Sequence, residues 1–117
     1  MIKISVDEAA AFDMLAILDC KSARSNNKEL LHSARILSSE IEGQISSEKL
    51  IAIIGSLEYK HLLEINDQIF NLVDLAKQNK VTPKEVDDAN YQRYLAKKKL
   101  QDVWFGTTIS EQKIGYN

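Results

Sequence analysis

Two Glu-x-x-His motifs hold both histidines of this chain. They are Glu29-Leu-Leu-His32 and Glu58-Tyr-Lys-His61. On a helix, positions i and i+3 share a face, so each motif sets a carboxylate beside an imidazole. Carboxylate-bridged di-iron bundles use two such motifs with a Glu from each of two further helices. Asp13, Asp19 or Glu85 would supply the remaining ligands here. Both motifs, however, fall in the first turns of their expected helices, where a glutamate also serves a capping box. His32 sits opposite the apolar face of its helix, and His61 lies nearer to one, beside Ile65. Surface or boundary histidines satisfy the same spacing.

A basic cluster forms the second chemical feature. Arg93, Lys97, Lys98 and Lys99 have Tyr91, Tyr94, Trp104 and Phe105 nearby. Cations interleaved with aromatics suit nucleic-acid phosphates and bases. They equally suit the late part of a helix, whose dipole favours positive charge, or the acidic first helix as a partner. Arg93 occupies a stripe position where an apolar residue is expected, so it needs a carboxylate, a subunit boundary or room to snorkel. The four aromatics beside that stripe are candidate interface residues. Cys20 lies on an apolar helix with no histidine near it in sequence, which points to a buried, inert thiol. No Ser-His-Asp set and no glycine-rich phosphate loop can be assembled, so no catalytic residue and no cofactor is expected.

The elements that position these residues read as helices. Leu62, Ile65, Ile69, Leu72 and Ala76 recur in steps of three and four, and Leu63, Phe70 and Val73 widen the stripe. A helix over residues 56–79, capped by Ser56, cannot shield such a face alone. A first helix is expected from Val6 to Arg24, with Ser5 and Glu8 as a capping box. A second follows Asn26, carrying Leu30, Ala34, Leu37 and Ile41, and ends near Gly43. Leu50–Ile54 reads as a short helix behind a Ser46-Ser47-Glu48-Lys49 cap, although its isoleucines also suit a strand. Thr82-Pro83-Lys84-Glu85 starts the last helix, which runs to about Phe105 with Gly106 at its C-terminal cap. The fold class expected is all-α: an antiparallel bundle of four main helices plus one short helix. The last two are joined closely enough to form a hairpin. Residues 1–106 form the bundle domain and 107–117 a polar tail.

With 117 residues and a net charge of −2, one domain with a real core is expected, without a general attraction to nucleic acid or anionic membrane. One cysteine excludes an internal disulfide. No signal-peptide pattern or bilayer-length apolar run is present, which favours the cytoplasm.

Two stretches, Met-Ile-Lys-Ile-Ser-Val-Asp-Glu-Ala-Ala-Ala-Phe-Asp-Met-Leu-Ala-Ile-Leu-Asp (1–19) and Asp-Asp-Ala-Asn-Tyr-Gln-Arg-Tyr-Leu-Ala-Lys-Lys-Lys-Leu-Gln (87–101), resemble small helical proteins of T4-like marine phages. The resemblance implies expression in a bacterial host cytoplasm and carries over no activity and no site residue. The functional expectation is a non-enzymatic interaction or assembly protein that forms a homodimer. A nucleic-acid-associated protein and a metal-binding bundle are the alternatives.

Overall fold

A computed structural model describes residues 1–106, and every described element is helical: α1 (Glu8–Ser25), α2 (Lys28–Ile45), α3 (Ser47–Ile54), α4 (Leu57–Lys77) and α5 (Pro83–Trp104). The tail expected at 107–117 lies outside the described residues. The fold is therefore all-α, as the periodicity predicts. Leu50–Ile54 is helical, introduced by Ser46, whose side chain accepts from the Lys49 amide at 3.2 Å.

Local chemistry sets most helix ends. The strongest start signal in the chain forms both of its bonds: Thr82 Oγ1 accepts from the Glu85 amide, and Glu85 accepts from the Thr82 amide. Ser56 caps α4 through the Tyr59 amide. Three expected boundaries differ. The N-cap of α1 is Asp7 rather than Ser5. The Glu8 carboxylate instead accepts from Gln101, and Gln101 in turn accepts from the Ala9 amide at 2.8 Å. A distant residue of α5 thus satisfies the first turn of α1 and displaces the local capping box. Asn26 is the left-handed C-cap of α1 (φ 54°), so Asn27 caps α2 and accepts from the Glu29 amide. Gly43 sits inside α2, which continues to Ile45.

α1 is the hub. It packs on α2, α4 and α5, while α4 and α5 pack along each other and α3 bridges α2 to α4. Phe12, Leu15, Ala16, Ile53, Tyr59, Leu62, Ile65, Ala96 and Leu100 form the middle of the core. Phe12 meets Tyr59 edge-on and Phe105 at a tilt, both at 6.1 Å between ring centres. Burying such side chains contributes about 1.5–3 kcal/mol each before entropy is charged.

The apolar stripe of α4 is covered only in part. Tyr59, Leu62, Ile65 and Asn66 are buried, Ile69 and Leu72 are half-buried, and Val73 and Ala76 are exposed. The reason is the length of α1. Its last residues reach α4 at Asp67 and Asn71, through Arg24, and α1 stops at Ser25. No residue between Asp67 and Leu95 is buried. The outer part of the α4–α5 hairpin is consequently a two-helix arm that extends past the shared core.

Candidate functional site

Asp13 is the most enclosed charge among the described residues. It is 2% exposed and lies on the face of α1 that meets both α4 and α5. Asn66 of α4 donates to its Oδ1 at 2.9 Å. Arg93 of α5 donates from Nε to Oδ2 at 3.0 Å, and its Nη2 also donates to Oδ2. Lys97 Nζ stands 4.0 Å from the same oxygen. The apolar periodicity of α5 makes Arg93 an intruder, and Asp13 is the carboxylate such an intruder requires. Each oxygen of the carboxylate is met by a donor, so the cluster ties three helices together.

Further polar ties follow the same rule. Tyr59 donates its hydroxyl to Asp19 at 2.8 Å. Burial, then the neighbouring Asp19 carboxylate, pushes this phenol well above its ordinary range. Arg24 forks onto Asp67 and Asn71 and lies over the Phe70 ring. The Cys20 thiol, buried and directed at the Leu63 carbonyl 3.5 Å away, is pushed up by burial, with Asp67 adding to the effect. A thiol held protonated is a poor nucleophile, in keeping with the inert reading of Cys20.

The structure distributes the sequence candidates as follows. Glu29, His32 and His61 are exposed. Glu58 is engaged as the acceptor of Trp104 Nε1 at 3.0 Å. Among the described residues no group of three His, Cys, Asp or Glu side chains is placed to hold a metal ion. The metal expectation built on Glu29, His32, Glu58 and His61 thus finds no geometric support. The physical reason is position: each motif begins its helix at the periphery. In the basic cluster, Arg93 and Lys97 turn inward to Asp13, which leaves Lys98 and Lys99 exposed. The four aromatics also divide. Trp104 and Phe105 are half-buried at the edge of the core, with Lys49 Nζ 4.4 Å above the Phe105 ring. Tyr91 and Tyr94 stay outside, stacked at 6.2 Å between ring centres.

Sequence reasoning missed Leu95, which is 39% exposed beside the two tyrosines. Its signal was available: it lies four residues after Tyr91, turned about 100° or more around α5 from the buried Ala96 and Leu100. An open groove of about 450 Å³ lies between residues 3–8 and the Leu37–Ile41–Ile45 face of α2, and Ile51, Ile54 and Leu57 form a separate exposed apolar patch.

No protein-family model matches the chain, and neither a curated protein nor a solved structure is detectably similar to it. Among the described residues, no helix is long and apolar enough to cross a membrane.

Proposed function

We propose that this protein is a non-enzymatic helical interaction module that associates with itself. The observation that carries the reading is the stacked Tyr91–Tyr94 pair with Leu95, exposed on an arm of two helices. Tyrosine is enriched at protein interfaces because its ring is apolar and its hydroxyl tolerates water. The non-enzymatic part rests on how the polar side chains are used. Buried Asp13 and Gln101, half-buried Glu58 and exposed Asp19 each hold a partner that fastens one helix to another. A reducing cytoplasm suits the lone, buried Cys20.

Sedimentation velocity between about 1 and about 100 µM chain tests the reading, because small helix-on-helix contacts fall in this affinity range. A weight-average mass that rises toward the dimer is expected. A monomer at every concentration overturns the proposal.

A further inference from the structure

The outer face of α5 carries a charge order that is its own antiparallel complement. Lys84, Asp88, Tyr91, Leu95, Lys98 and Asp102 are all exposed and follow one another in alternating steps of four and three. That spacing makes a single seam along the helix, the repeat that packs one helix on another. The seam spans about 27 Å at 1.5 Å per residue.

We propose that this seam is the interface with a second copy of the chain, paired antiparallel about a two-fold axis at the level of Arg93. The inference rests on the self-association reading above and specifies its surface and register. In this arrangement Lys84 faces Asp102 of the second copy, Asp88 faces Lys98, and Tyr91 faces Leu95. Each of the three pairs is centred on position 93, so the two-fold repeats all of them. Asp87 and Lys99 flank the seam and are centred on the same position. Parallel pairing would set Lys84 on Lys84 and Asp88 on Asp88. Moving the antiparallel register by one heptad sets Leu95 against Lys98 and Tyr91 against Asp102. A single arrangement therefore matches every charge and joins the apolar residues at the centre.

Two simpler explanations of the charges fall short. A helix dipole acts on the first and last turns. The acidic residue of the first turn of α5 is Glu85, and its last turn has no basic residue. Asp87, Asp88, Lys98 and Lys99 thus lie inside the range where the dipole has faded. Pairing within the chain also fails: the ion pairs among the described residues are Arg24–Asp67, Arg93–Asp13 and Lys97–Asp13, and none uses a seam charge. Lys84–Asp88 and Lys98–Asp102 have four-residue spacing, but with lysine first, which is the weaker order for a helical pair.

The test uses the full chain with charges reversed. D87K/D88K carries lysine at positions 87, 88, 98 and 99, and K98D/K99D carries aspartate at the same four, with Lys84 and Asp102 unchanged. All four positions are solvent-exposed, and far-UV circular dichroism checks that each variant keeps its helix content. Each variant alone should dimerise at least tenfold more weakly than the unaltered chain, while an equimolar mixture should restore dimers with one copy of each. The fourfold swap D87K/D88K/K98D/K99D should restore the homodimer. At about 1 M salt, where the Debye length is about 3 Å, the unaltered dimer should weaken. Single variants that dimerise like the unaltered chain, or a mixture and fourfold swap that stay monomeric, overturn the register and leave self-association standing. An unaltered chain that is monomeric up to about 100 µM overturns both.

Discussion

Arg93→Ala is the perturbation with the most to say about how this fold is held. Asp13 is 2% exposed, and its carboxylate is served by Arg93, by Asn66 and, at 4.0 Å, by Lys97. Truncating Arg93 leaves a buried carboxylate with one amide donor and one distant ammonium. Removing one partner of a buried pair costs about 3–5 kcal/mol. Arg93 keeps 30% of its side chain exposed, and Lys97 is near enough to move in. Both considerations place the loss at the lower end, about 3 kcal/mol. A domain of this size has about 6–15 kcal/mol to lose, so the variant folds but unfolds at markedly lower urea. Asp13→Leu combined with Arg93→Met removes both charges and fills the space with apolar atoms. That double variant should lie within about 1.5 kcal/mol of the unaltered protein, because Asn66 retains the Leu62 carbonyl as an acceptor at 3.1 Å. Urea unfolding followed by circular dichroism, at submicromolar chain so that association does not contribute, gives all values. A loss below about 1 kcal/mol for Arg93→Ala, or a double variant as unstable as the single, refutes the reasoning.

Other outcomes follow from the same polar ties. Gln101→Leu orphans the Ala9 amide at the buried start of α1 and should cost about 1–3 kcal/mol; in urea unfolding, a change under about 0.5 kcal/mol would show that water substitutes for the glutamine. Tyr59→Phe removes the bond to Asp19 and should cost about 0.5–1.5 kcal/mol near neutral pH. Because the folded-state phenol is raised, its contribution is complete below the unfolded value near pH 10 and is lost as pH rises further. The stability profile of Tyr59→Phe should therefore be flatter than that of the unaltered protein above about pH 10, and profiles that run parallel there would contradict this.

Much of the fold was legible because helix ends and helix faces are local signals. The Thr82-Pro83-Lys84-Glu85 start formed both capping bonds. The misplaced Arg93 announced that a carboxylate must face it, although periodicity alone could not name Asp13, 80 residues away. What failed was non-local. Gln101 reached across to the first turn of α1 and made a Ser5 cap unnecessary. The stripe of α4 called for cover by other helices, yet its outer third stayed open because α1 ends at Ser25. The two Glu-x-x-His motifs had the right spacing on the wrong parts of their helices, where His32 and His61 meet solvent. Two of the four cations in the basic cluster were already committed inward, a fact that depends on the angle at which α5 meets α1. The seam of α5 was written in the sequence, but it becomes visible only once Ala96 and Leu100 show which side of the helix is inside.

In the proposed dimer two copies of α5 meet at the level of position 93. Pyrene attached to Gln92→Cys in a Cys20→Ala background reports that meeting, since antiparallel helices centred on position 93 bring the two labels to within about 10 Å. The same label at Val103→Cys would be carried about 30 Å apart along the paired helices. Excimer emission at position 92 and monomer emission at position 103 is the predicted result; excimer emission at position 103 with none at position 92 would contradict it.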